Sequence, residues 1–350
     1  MALFPLANLS GRPEEMRQVQ STFEQALLGR GLDVVSGDLV DQFLARHRVR
    51  YTGGVDRPTA WAAREELGVD SILLASLDLR SAQDPPLFAA TMRLVSTADE
   101  PEILWMDGVA LAGDEHPGFL NMGMVRNPKE LERVQVSRLV GSLEGFLAGQ
   151  SLPADTCPDG RRSVPRSAYA RAVRPGAERT RVAVVPFVNE SGRRDAGEVA
   201  LLALVRQLVV EPGLKVLEPG VVRAALLDHR VILEGGVTHE AARIALGVLE
   251  ADVVVAGNVH VYDESAVPVL EFSATALATR DNRPVWQSTS FERGDAGVFF
   301  FGVGRVSTTN ALLCGVARGV AQGLARALRG APGQPRSSPG DSRVREEAGP

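Results

Sequence analysis

Phe4-Pro5-Leu6-Ala7-Asn8-Leu9-Ser10-Gly11-Arg12 returns near the middle of the chain as Val185-Pro186-Phe187-Val188-Asn189-Glu190-Ser191-Gly192-Arg193. In each copy a proline closes a short apolar run, Asn and Ser can bond to nearby backbone N–H groups, and Gly permits positive φ. The pattern predicts a tight strand-to-helix turn built on Pro5, Asn8, Ser10 and Gly11, and again on Pro186, Asn189, Ser191 and Gly192. Later landmarks follow in the same order at nearly the same spacing: Asp70 with Asp252, Trp105 with Trp286, and Gly123 and Arg126 with Gly302 and Arg305. The period is domain-sized, far above the roughly 20–50 residues of a solenoid unit, so each copy is expected to bury its own core.

Outward from the turns, hydrophobic spacing predicts one element order twice, β-α-β-α-α-β-β-β-α. In the first copy a helix carries Met16, Val19, Phe23 and Leu27, followed by a strand at Leu32–Val35 and two short helices. The strand-like runs Ser71–Leu79, Leu87–Ser96 and Ile103–Ala112 then form a meander, and a helix covers Lys129–Leu147. The second copy repeats this from Val182 to Leu328. The fold class is therefore α/β: two tandem sandwiches, residues 1–148 and 181–330, each a mixed sheet with helices packed on it. Residues 149–180 are rich in Pro and Arg and read as an exposed linker with a short helical turn around Ala168–Ala172. Residues 331–350, rich in Pro, Gly and Ser, read as a disordered tail.

Composition excludes more than it selects. A net charge of −5 argues against nucleic acid as the principal ligand, and aromatics at 5% leave few platforms for base stacking. Of 38 basic residues only Lys129 and Lys215 are lysines, which reads as codon bias rather than a binding surface. Cys157 and Cys314 have no second Cys or His at ligand spacing, so neither a zinc site nor a disulfide framework is indicated. No stretch approaches the roughly 18 apolar residues of a membrane span. As written, the N-terminus lacks a secretory signal and reads as cytoplasmic. Met1 nevertheless stands almost inside the first strand, and a start further upstream with an export signal would place the chain in the periplasm.

No catalytic constellation stands out. The turns lack the glycine fingerprint or the Lys-Ser/Thr pair of nucleotide-binding loops, and their two N-x-S sequons are explained by turn chemistry. His47, His116, His229, His239 and His260 are scattered and read as surface or capping residues, and no triad is apparent. No cofactor or metal is expected. Gly315, Gly319 and Gly323 line one side of the last helix and predict close approach to the sheet or to the other copy. The remaining candidates are two glycine-bracketed apolar loops: Phe119 and Met122 with Arg126, and Phe299, Phe300 and Phe301 with Arg305. Each either tucks under its own helix or docks a partner or a lipid surface, with the arginine as polar anchor.

The carriers Pro186, Asn189, Ser191, Gly192, Asp252–Gly257 and Trp286, matched by Pro5, Asn8, Ser10, Gly11, Asp70–Ala75 and Trp105, resemble the TolB amino-terminal-like superfamily. That group includes the periplasmic domain of the curli secretion channel, outer-membrane lipoprotein activators of peptidoglycan synthases, and domains of some cytoplasmic bacterial regulators. The resemblance implies a non-enzymatic binding or assembly protein of the bacterial envelope that engages another protein. A cytoplasmic regulatory or sensor module is the alternative, and a nucleotide-binding protein or enzyme the remote one. The sequence has no lipobox cysteine and no long amphipathic hairpin, so the resemblance implies neither a lipid anchor nor a channel.

Overall fold

Period-two alternation in the long strands decides which helices sit where. The computed structural model describes residues 1–114, 124–150, 157, 163–171, 179–233, 235–279, 283–296, 298 and 305–329. The first half runs β1 (Ala2–Leu3), β2 (Ala7–Asn8), α1 (Met16–Leu28), α2 (Gly37–His47), α3 (Arg57–Leu67), β3 (Ser71–Ser81), β4 (Leu87–Ser96), β5 (Ile103–Ala112) and α4 (Pro128–Leu147). β6 (Ser167–Ala170) follows. The second half is β7 (Thr180–Val184), β8 (Val188–Asn189), α5 (Ala196–Val209), β9 (Leu214–Val216), α6 (Pro219–Asp228), α7 (His239–Val248), β10 (Val253–Asp263), β11 (Val269–Ala278), β12 (Arg283–Arg293) and α8 (Thr309–Leu328).

Both sheets are mixed. The first has the order β1-β3-β4-β5, with β2 also on β3, and the second β6-β12-β11-β10-β7-β9, with β8 also on β10. The meanders are antiparallel, whereas β1 on β3 and β7 on β10 are parallel. Helix ends follow the sequence: Asp56, Asn127 and Thr308 cap α3, α4 and α8 through their side chains, and Gly68 closes α3 at φ 64°.

Alternate residues of β3 point to opposite faces. Leu73, Ala75 and Leu77 pack on α1 and α4, while Ile72 and Leu74 pack on α2 and α3. In the second half Val254 and Ala256 face α6 and α7. Val253 and Val255 face α5 and α8, and the far side of those two helices meets Leu79, Ala89, Met106 and Ala110 of the first sheet. One helical layer thus serves two sheets. Three of the four clusters draw on one half of the chain each, whereas the largest draws on both.

Four expectations are corrected. Leu32–Val35 form no strand. Val35 N–H donates to Met1 O (3.0 Å) as Leu217 N–H does to Val182 O (2.9 Å), but the ladder that joins Thr180–Val182 to Leu214–Val216 has no equivalent there among the described residues. Residues around Ala168–Ala172 contain a strand, not a helical turn, because β6 finds an open edge on β12, pairing Ala170 with Trp286 and Ala168 with Ser288. Cys157 and Cys314 form a disulfide, which pins the connecting segment to α8. Their partnership spans 157 residues of sequence and left no local spacing to read. Where no triad is apparent in the sequence, Ser273, His260 and Glu190 stand in one hydrogen-bonded series. Of the glycines on the last helix, Gly323 approaches the sheet, where a Cβ would stand 3.1 Å from the Trp286 ring, whereas Gly319 approaches the connecting segment instead, 2.4 Å from Ser163 O.

Candidate functional site

The two repeated turns have the same geometry. Asn8 Oδ1 accepts from Ser10 N–H (3.1 Å) and Oγ–H (2.7 Å), while its Nδ2 donates to Arg12 O (2.7 Å). Asn189, Ser191 and Arg193 repeat these distances. Gly11 and Gly192 both take φ 75°, the left-handed conformation that glycine alone adopts cheaply. The turns also meet. Arg193 reaches across the seam, donating to Leu9 O (2.6 Å) and Asp78 O (2.5 Å), with its guanidinium over the Tyr262 ring. Asn8, Ser10 and Gly11, like Asn189, Ser191 and Gly192, thus make the internal bonds and the bend of two turns that follow Pro5 and Pro186 beside the seam.

Along the seam buried polar groups find partners. Arg93, from β4, forms two bonds to the Glu218 carboxylate (2.8 and 3.1 Å) and one to Gly53 O (2.6 Å), with both charged side chains almost fully buried. Tyr51 OH donates to Glu198 Oε1 (2.7 Å) beneath Arg223, and burial raises the Glu198 carboxyl. Gly54 and Gly220 touch: a Cβ on Gly54 would stand 2.7 Å from Gly220 Cα.

A β-bulge places one residue of each β3-type strand out of the ladder. In the first half it is Asp78, between Leu77 and Leu79, and in the second His260, between Val259 and Val261. Asp78 accepts from Ser76 Oγ and Thr91 Oγ1, both at 2.6 Å, under the shared helices. Burial raises its carboxyl to about 6 against the opposing effects of those hydroxyls, Arg193 and Arg206. The cavity beside it is only about 30 Å³, room for one water and no ligand.

His260 occupies the same position on the second sheet, and there no helix among the described residues covers the face. Its Nε2 accepts from Ser273 Oγ (2.8 Å) and its Nδ1 donates to Glu190 Oε2 (2.7 Å), whose other oxygen accepts from Asn258 Nδ2 (2.9 Å). His260 is 33% exposed and Glu190 50%. Hydrogen bonding from His260 and then from Asn258 lowers the Glu190 carboxyl, so it is an anion at neutral pH. Gln287 and Thr289 extend this polar face across β12. The reading of His260 as a surface or capping residue is thus incomplete: its partners lie 13 and 70 residues away. Glu190 replaces Leu9 inside the repeated turn, the one local sign that the copies differ here.

Phe119, Met122, Phe299, Phe300 and Phe301 lie outside the described residues. Arg126 is exposed, and Arg305 donates to Ala266 O (2.6 Å), tying its loop to the β10–β11 hairpin. A cleft of about 210 Å³ runs along the seam with an apolar floor of Leu217, Val221, Ala225 and Leu249. At its rim Glu100 already pairs with Arg181 (2.6 Å) and Lys215 (3.0 Å), which hold its carboxyl down at about 2. Among the described residues no His, Cys, Asp or Glu cluster could hold a metal ion, and no helix is long and apolar enough to cross a membrane.

No family model matches the chain, and no curated protein does. Among solved structures it is similar to the PelC dodecamer from Paraburkholderia phytofirmans, at 16% identity over 45% of this chain and 96% of that one, with a TM-score of 0.31. It is similar to lipoprotein GNA1162 from Neisseria meningitidis at 18% identity, covering 43% and 99%, with a TM-score of 0.29. The LpoB C-terminal domain from Salmonella enterica follows at 12% identity, 38% and 86%, and 0.26. Likeness at these scores carries no argument about what this chain does.

Proposed function

We propose that this chain is a non-enzymatic binding and assembly protein of the bacterial envelope, built of two tandem copies of one fold (residues 1–148 and 181–330), which engages another protein through the open face of its second sheet. One observation carries the reading. The first sheet uses the corresponding face, around Asp78, Thr91 and Gly108, to dock α5 and α8, with Arg193 and Arg206 arriving beside Asp78. The face around Asn258, His260, Ser273 and Gln287 is the same surface without its helix pair. Its anionic Glu190 suits a partner that presents a helical pair with cationic side chains. The apolar loops bearing Phe119, Met122 and Phe299–Phe301, anchored by Arg126 and Arg305, are proposed as a second contact.

The disulfide supports the periplasmic reading over the cytoplasmic one, because such bonds persist in oxidising compartments. A photo-crosslinker at Gln287 of the full chain, in envelope extract, tests the docking surface. It is expected to trap one defined protein, with the product lost on Glu190→Arg and absent from a crosslinker at Arg17 on the outer side of α1. Equal crosslinking from Arg17, or none that depends on Glu190, refutes the surface.

A further inference from the structure

The His260 site holds more than docking requires. In the first half the same bulge and the same turn are maintained with Asp78 and Leu9 in place of His260 and Glu190, so neither imidazole nor carboxylate is needed to hold the turn on the sheet. In the second half three groups stand in series: a hydroxyl 2.8 Å from Nε2, and Nδ1 2.7 Å from a carboxylate. With Glu190 ionised, Nδ1 carries the ring proton and Nε2 presents its lone pair to Ser273. This is the order of nucleophile, base and orienting acid that activates a serine hydroxyl. Both ends are reachable, since His260 is one-third exposed and Ser273 is partly exposed.

We propose that Ser273 is a nucleophile activated by His260 and Glu190, which accepts an acyl group from a carboxylic ester with a good leaving group. Ser273 Oγ attacks the carbonyl carbon as its proton passes to Nε2. The bond between that carbon and the leaving oxygen breaks, and the departing alcohol takes the proton from His260. An Oγ–acyl bond forms, with no change of oxidation state. The backbone at Ser273 is committed to the ladders with β10 and β12, through Asn258 and Thr289, so it aims no N–H of its own at an oxyanion. Release of the acyl group is therefore slow, and the site captures one acyl group instead of turning over. This goes beyond the docking reading, and needs no partner, so the two fail separately.

The full chain treated with p-nitrophenyl acetate is expected to release about one equivalent of nitrophenolate in a burst and to carry a single acetyl group, mapped by peptide mass analysis to Ser273. Ser273→Ala abolishes that adduct, and Ser273→Cys restores labelling. His260→Gln slows labelling by about 10²-fold or more, the contribution expected of a general base, and Glu190→Gln slows it less. Circular dichroism melting of each variant establishes that it is folded. Acetylation confined to Lys129, Lys215 or the N-terminus, an adduct persisting in Ser273→Ala, or an equal rate in folded His260→Gln overturns the proposal.

Discussion

Asn8 and Asn189 each satisfy a hydroxyl, a backbone N–H and a backbone carbonyl within four residues. Asn189→Ala removes all three and strands part-buried groups, so it is expected to cost roughly 1–3 kcal/mol in urea unfolding. Such turns were legible because their hydrogen bonds are local. Asp78 was not, since what matters about it is burial under another part of the chain. Its folded-state carboxyl near 6 lies above the ordinary 3.8, so the folded state holds this proton more tightly than the unfolded state does. The linked contribution favours folding below about pH 4 and is lost as pH rises through 6, by about 3 kcal/mol in total. Asp78→Asn is expected to flatten that part of the pH–stability curve and to gain relative to the parent chain at pH 7. Parallel curves for the two proteins between pH 4 and 7 would refute it.

α1 and α5 occupy corresponding places yet differ in what they bury. α1 hides Val19, Phe23 and Leu27 on one stripe, whereas α5 also buries Val199, Leu201, Leu202 and Val205, because it has a sheet on each side. Leu202→Asp places a charge in the shared layer, and a loss of about 3 kcal/mol or more is expected in chemical denaturation, against under 1 for Ser21→Asp at the matching position of α1. The Arg93–Glu218 pair gives a second check. Either single truncation to Ala leaves a buried charge alone and is expected to cost about 3–5 kcal/mol, while Arg93→Met with Glu218→Leu costs less than the two single changes combined. The long meanders and terminal helices were legible from periodicity. The continuous apolar run of α5 fits a buried helix equally well with one neighbouring sheet or two, and β6 is too short and too rich in flanking Arg and Pro to show a period.

Across the molecule, the order and class of elements were legible from the internal repeat except at Leu32–Val35 and β6, and the packing of the halves was not, since it depends on pairings such as Tyr51 with Glu198 that lie 147 residues apart. The Cys157–Cys314 bond closes a loop of that same scale, so Cys157→Ser is expected to lower stability by about 2–5 kcal/mol. A thiol count in denaturant should read none in the parent chain and one in the variant. A helical layer clasped between two sheets has one more outcome. Cut between residues 150 and 156, ahead of the Cys157–Cys314 bond, the C-terminal piece would lay bare an oily flank of α5 and α8 and clump, while the N-terminal piece would keep α1–α4 but bring Arg93 and Asp78 into water. The halves share a buried layer that neither could cover alone.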